Sequence, residues 1–249
     1  GIGFVVLADS RALCSINLRE HMLFVPRISL HSKIVLDSTF TLIVLGACFF
    51  YACELNTTLA PLGNAHAVVA ALFQSITPRT AGFNTVDIAS LNMSALLLLI
   101  ILMFIGASPG STGGGAKTTT IAVLVIMVFS KLRGRSQLKI FDKAVPMVVA
   151  QRAGMILFLC MSIVVTGLFA LTLVEPDKDF LSLVFEQVSA FATVGLSTGI
   201  TTQLSTAGKI IIILTMFLGR VGPMTFISAL ILRKLNPRVR YPEDDVLIG

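Results

Sequence analysis

Thr80-Ala81-Gly82-Phe83 and Thr193-Val194-Gly195-Leu196 lie 113 residues apart and share one pattern. Each has a threonine, then a small or branched residue, a glycine and a large apolar residue. The chemistry such a segment offers is that of its backbone. Glycine lacks a Cβ and so lets the chain turn where other residues clash. An extended loop built this way can aim successive carbonyl oxygens at one axis, where they replace the hydration shell of a cation. Taken singly, Gly82 and Gly195 are equally well ordinary turn glycines. Their recurrence, and the short apolar run before each, favour the carbonyl reading.

A second unusual segment is Gly106-Ala107-Ser108-Pro109-Gly110-Ser111-Thr112-Gly113-Gly114-Gly115-Ala116-Lys117. Its glycines and proline are incompatible with a stable helix interior. It stands between two apolar stretches, so it is expected to break one membrane helix midway and to act as a gate or second constriction. A phosphate-binding loop would need lysine directly after its last glycine. Ala116 stands there instead, and the flanks are membrane-like. Arg220 sits inside the last apolar run. An arginine at such depth faces the bundle interior or water. It is either a structural tie to backbone carbonyls or a positive barrier in the pathway, and either role is compatible with contact to the glycine-rich segment.

Other chemistries find little support. Cys14, Cys48, Cys53 and Cys160 fit no zinc or disulfide spacing, and His21, His31 and His66 are scattered. No nucleophile–base pair is evident, which argues against an enzyme. The net charge of +6 raises nucleic acid as a partner, but the basic residues lie in loops between apolar runs, as in a membrane protein.

The elements that must position these residues follow from hydropathy. Of 249 residues, 55% are hydrophobic and 13% charged, well short of the roughly 25% charged of a soluble domain. Spans are expected at about 34–51, 155–174 and 210–232, and a broken one at 95–105 and 118–129. The apolar runs 65–76 and 180–192 are too short to cross, since crossing takes roughly 20 helical residues. They read as re-entrant half-helices leading into the two Thr-x-Gly segments. Fourteen of nineteen basic residues fall before the first span, in the 131–143 loop, at Arg152 or in the tail. The positive-inside rule puts these in the cytoplasm. Glu54, Asp87, Glu175, Asp177, Asp179 and Glu186 are then expected on the other side.

Met103-Phe104-Ile105-Gly106 also matches Met216-Phe217-Leu218-Gly219 at the 113-residue offset. Two matches at one offset indicate duplication. Each unit reads span, half-helix, loop, span, and two crossings return the chain to its starting side. The units are therefore parallel repeats about an axis along the membrane normal. The expected fold is an all-α membrane protein of two such repeats. Residues 1–30 would end a preceding repeat and link it, 31–135 form one unit, and 136–249 form the next with the C-terminus.

At these residues the chain resembles the Trk/Ktr/HKT superfamily of cation transporters, and within it the Ktr-type membrane subunits. The resemblance rests on Ser75 to Thr85, Gly106 to Thr120, Thr193 to Gly199, Gly219-Arg220-Val221-Gly222-Pro223 and the ending Tyr241-Pro242-Glu243-Asp244. Thr193-Val194-Gly195 also reproduces the start of the potassium-channel filter. The resemblance implies four span–pore-loop–span repeats around one pore, with Gly82 and Gly195 as the filter glycines of the third and fourth. It implies a filter at Thr80, Ala81, Gly82, Phe83, Thr193, Val194, Gly195 and Leu196. It further implies a gating loop at Gly106, Pro109, Gly110, Gly113, Gly114, Gly115 and Lys117, with Arg220 against it.

The implied function is potassium uptake across the plasma membrane, with the C-terminus cytoplasmic and potassium as cargo rather than cofactor. Implied partners are the lipid bilayer, a second membrane subunit in a homodimer and a cytoplasmic ring that binds ATP or ADP in this chain's stead. Only two repeats are visible, and Gly1-Ile2-Gly3-Phe4 reads as the tail of the second, so the chain is expected to conduct only with the missing N-terminal half or with copies of itself. A sodium-permeable or sodium-coupled transporter, and a non-conducting assembly subunit, are the alternatives.

Overall fold

A computed structural model describes residues 1–14, 29–134, 138–141 and 143–222. Pro223, the tail arginines and lysine, and Tyr241 to Asp244 lie outside these residues. The first helix, α1, is Phe4–Cys14, followed by α2, Leu30–Glu54. Helix α2 has 25 residues and α6, Met147–Val174, has 28; both are long and apolar enough to cross a membrane. Phe40, Phe49, Phe158 and Phe169 on these two helices are exposed, as an apolar solvent allows and water does not.

After each long helix comes a helix of thirteen residues, α3 at Asn64–Ile76 and α7 at Phe180–Ala192. At 1.5 Å per residue each is roughly 20 Å long, short of a ~30 Å hydrocarbon layer. A loop and a single 3-10 turn follow, Ile88–Ser90 in one half and Ile200–Gln203 in the other. The next helices, α4 at Met93–Phe104 and α8 at Thr206–Val221, begin 113 residues apart. Helix α4 stops at the glycine-rich segment and the chain resumes helix as α5, Thr118–Leu132.

The two halves share one core. Phe50, Leu99 and Met103 pack in a single cluster with Phe185, Val188, Phe191 and Val194. The Phe104 and Phe191 rings stack with centroids 6.3 Å apart. Close approach of each short helix to its long neighbour needs a glycine. A Cβ at Gly46 would strike the Ser75 hydroxyl, and one at Gly167 would strike the Gln187 amide.

Two features differ from the sequence reading. The basic loop between α5 and α6 holds a small antiparallel hairpin, β1 at Leu138–Ile140 and β2 at Lys143–Val145. Leu138 and Ile140 are buried beside Ile34, Val123 and Ala150, which is why the segment is not all loop. The second is that Glu54 and Glu175, which the sequence reading assigned no more than a side, are buried. Glu54 accepts the Asn92 backbone N–H at 2.8 Å, and Glu175 accepts that of Ser205 at 2.7 Å. Asn92 and Ser205 are the N-cap residues of α4 and α8. Each carboxylate thus caps the helix that follows the next short helix and loop, where a negative charge is stabilised by unpaired N–H groups and the helix dipole.

Hydrogen bonds from Ser205, side chain first and backbone second, hold the Glu175 carboxyl below its ordinary range. A carboxyl depressed in the folded state stabilises the fold above its unfolded value, about 4.3, and this contribution disappears as pH falls through the folded value. Thermal unfolding of the purified protein in detergent should therefore show Glu175→Gln melting below the parent at pH 7, with the gap closing below about pH 4. A gap independent of pH would remove the capping charge as its cause.

Candidate functional site

The end of α7 dictates the geometry of the second Thr-x-Gly loop. Thr193 turns left-handed, with φ +56°, and closes the helix by donating its N–H to Ala190 and Ser189. Val194 N–H then bonds the Ser189 carbonyl at 3.0 Å. The first loop repeats the device. Thr80 has φ +71°, and the Ala81 N–H reaches the Thr77 carbonyl at 3.0 Å. Left-handed backbone is rare for a β-branched residue and costs about 1–3 kcal/mol, so it persists only where surroundings enforce it. Two threonines at equivalent positions carry it here. Sequence reasoning assigned all the unusual angles to the glycines and missed this pair.

Hydroxyls behind each loop hold the next carbonyl. Thr77 donates to the Phe83 carbonyl, and Ser189 donates to that of Leu196 at 2.6 Å. The Phe83 and Leu196 carbonyls are thereby committed to the loops' own support. Among the described residues, the carbonyls of Thr80 to Gly82 and Thr193 to Gly195 have no such strut. The loops also meet each other. A Cβ on Gly82, φ +76°, would strike the Val194 carbonyl oxygen. Gly195, φ +92°, faces open space.

The segment 105–117 leaves the helix line and returns to it. Ala116 N–H bonds the Phe104 carbonyl at 3.2 Å, and Thr118 N–H bonds that of Ala107 at 3.3 Å. Its tip, Gly113 to Ala116, is buried against both loops. A Cβ at Gly113 would lie 2.6 Å from the Thr80 methyl, and one at Gly114 would lie 2.8 Å from the Thr193 methyl. The Gly114 N–H donates to the Thr193 hydroxyl at 2.8 Å. Lys117 donates back to the Gly113 carbonyl, and Arg220 donates to that of Thr112. Gly106 is buried at the root of the loop, and Gly110 accepts the Phe4 N–H at 3.1 Å beside Pro109.

Glu186 has a role that the sequence reading did not give it: it is a buried side chain of α7. Ser197 donates to one carboxylate oxygen and Thr201 to the other at 2.9 Å. The Ser197 hydroxyl also accepts the Gly199 N–H at 2.9 Å. One carboxylate therefore pins the chain that leaves Gly195. A cavity of about 570 Å³ beside it is lined by Glu186, Thr193, Gly195, Ser197, Met216 and Arg220.

The contrast between the two glycines is testable. Alanine at either position meets left-handed backbone, costing about 1–2 kcal/mol. At position 82 it also meets the Val194 carbonyl, so Gly82→Ala should lose about 2 kcal/mol more than Gly195→Ala. Equal melting temperatures for the two variants in detergent would contradict the contact between the loops.

Comparison with known proteins identifies the family and the fold. The family model described as TrkH, cation transport protein, matches residues 2–238. The Ktr system potassium uptake protein B of Bacillus subtilis is 38% identical over all of this chain and 54% of its own length. The potassium/sodium uptake protein NtpJ of Enterococcus hirae is 34% identical, again over all of this chain and 54% of its own length. A crystal structure of the potassium transporter TrkH from Vibrio parahaemolyticus superposes with a TM-score of 0.63 at 21% identity, over 81% of this chain and 44% of that one. The chain spans about half the length of the curated relatives it matches. With the family model covering nearly the whole sequence and the same fold in a solved relative, the chain belongs to the TrkH family of cation transport proteins.

Proposed function

We propose that this chain supplies two of the four units of a potassium-uptake pore. The observation that carries this reading is the meeting of three irregular segments: two Thr-x-Gly loops in mutual contact and a glycine-rich loop packed on both threonines. Irregular backbone at membrane depth is tolerated where it is buried or lines an aqueous path. The carbonyls of Thr80 to Gly82 and Thr193 to Gly195 then form half of a selectivity filter, with Phe83 and Leu196 anchoring its outer ends. The short helices α3 and α7 are re-entrant. The two units, residues 31–135 and 136–249, are parallel repeats about the pore axis.

The loop from Gly106 to Lys117 is the barrier beneath the filter. Arg220 holds it through Thr112, and Lys117 braces it from within. Thr193 offers its hydroxyl to the Gly114 N–H, so movement of the loop and shape of the filter are coupled. The protein lies in the plasma membrane with its basic loops and C-terminus in the cytoplasm. It pairs as a homodimer, on a cytoplasmic nucleotide-binding ring that takes the ATP or ADP. A second reading, sodium permeation or coupling, is favoured by the relative named for both potassium and sodium.

Rubidium and sodium uptake in potassium-uptake-deficient bacteria tests this. The chain is expressed alone and extended at residue 1 by the N-terminal portion of the Bacillus subtilis relative. Rubidium uptake by the extended protein, absent with the chain alone, is the expected result. Sodium uptake in place of rubidium would select the second reading, and neither ion entering, with the protein in the membrane, would end the pore proposal. Deleting Gly113 to Gly115 in the extended protein should raise rubidium flux above the parent, and parental flux would reduce the loop to a passive connection.

A further inference from the structure

A groove opens between the first turns of the two long helices. It is a cavity of about 350 Å³ lined by α2, α5, α6 and β2, within the range of small-molecule sites, roughly 300–1,000 Å³. His31 is the second residue of α2, and Arg152 is the sixth of α6. Both line the groove, so the two long helices begin on the same side of the molecule. Along α6 the lining runs from Val149 to Ile156, roughly 10 Å of helix.

Charge in the groove is all of one sign. No acidic side chain lines it. Arg152 is exposed and, among the described residues, makes no hydrogen bond or ion pair. The His31 Nε2 is buried without a hydrogen-bond partner. Asp9, which lies near His31, is engaged by the hydroxyls of Ser29 and Ser32 at 2.6 Å each. Lys33, two residues from His31, and Lys143, two from Val145, are exposed and add positive charge at the same end. Apart from His31, Arg152, Thr119 and Thr120, the lining is apolar.

A cationic edge beside an apolar channel, at the start of two membrane-length helices, matches a phosphodiester that carries an acyl chain. Basic pockets between spanning helices on the cytoplasmic side take anionic lipid headgroups. A free phosphate would leave the apolar wall unused, and a zwitterionic lipid brings no net charge to offset Arg152. We propose that the groove is a site for an anionic phospholipid. Its phosphate is held by Arg152 with His31 beside it, and one acyl chain lies along Ile34, Val123 and Ile156. With the basic loops in the cytoplasm, as proposed, the lipid comes from the cytoplasmic leaflet. The groove also reaches the glycine-rich segment. Thr119 and Thr120 belong to the first turn of α5, directly after Lys117. Ile156 lines both this groove and a cavity of about 420 Å³ beside Gly113, Lys117 and Arg220. A chain seated here buttresses the root of that loop.

The test uses the purified chain in a neutral detergent. Native mass spectrometry counts retained lipid during titration with dioleoyl phosphatidylglycerol or dioleoyl phosphatidylcholine. The parent should retain one phosphatidylglycerol at concentrations where it holds no phosphatidylcholine. Arg152→Gln should weaken this retention roughly fivefold, and adding His31→Gln should abolish it. Val149→Trp, which fills the groove from an exposed position, should weaken it as well. Arg133→Gln, at an exposed arginine outside the groove, should leave it unchanged. Equal retention of both lipids by the parent would overturn the proposal. So would parental retention by the double variant, or the same loss in Arg133→Gln as in Arg152→Gln. Displacement of the lipid by millimolar inorganic phosphate, with parental retention in Val149→Trp, would make this a free-anion site and overturn the lipid. None of these measurements reads ion flux, so the lipid site and the pore reading fail separately.

Discussion

Irregular backbone that cannot reach water has to be satisfied from within the protein, and this requirement ties the molecule together. Each Thr-x-Gly loop donates its N–H groups to carbonyls at the end of the helix before it, and its outer carbonyl accepts a hydroxyl from Thr77 or Ser189. The glycine-rich segment closes on its own roots, at Phe104 and Ala107. Two further bonds run between segments, from the Gly114 N–H to the Thr193 hydroxyl and from Arg220 to the Thr112 carbonyl, and Lys117 braces Gly113 from within its own segment. The first Thr-x-Gly loop meets the other two segments by close packing, and the second is hydrogen-bonded to the glycine-rich segment as well. Their shapes are determined jointly, and a change in one has to be accommodated by the others.

Much of the fold was legible in the sequence because its causes are local. Run length and apolar content distinguish the long α2 and α6 from the short α3 and α7. Glycine density places the break between α4 and α5 within a residue or two. The features that escaped have non-local causes. The carboxylate of Glu54 caps a helix 38 residues on, and that of Glu175 one 30 residues on, so the pair does not keep the 113-residue spacing that revealed the repeat. The alternation of Leu138 and Ile140 is too brief to signal a strand. The left-handed threonines carry no compositional mark, since β-branched residues disfavour that conformation; only the helix end and the packing beneath it impose them.

The segments singled out in the sequence are brought into contact in the structure. It does not treat them alike. Phe83 is exposed while Leu196 is buried. Gly82 is wedged against Val194 while Gly195 faces open space. Glu186 pins the second loop, and its counterpart at the 113-residue offset is the apolar Phe73. The first loop is shaped by its neighbour and the second by a carboxylate at its back.

This inequality extends to the segments that follow the matched stretches. The matched stretches Met103 to Gly106 and Met216 to Gly219 lead to opposite outcomes. Helix α4 stops at Phe104, because five glycines and a proline follow. Helix α8 continues to Val221 and carries Arg220 to the side of the loop that its sister unit supplies. Two glycine-rich loops would compete for the space beneath the threonines, where the Cβ distances at Gly113 and Gly114 leave no room for even a methyl group. One unit therefore provides the loop. The other half provides its holders, Thr193 from one side and Arg220 from the other, and this asymmetry follows from the volume available under the two threonines.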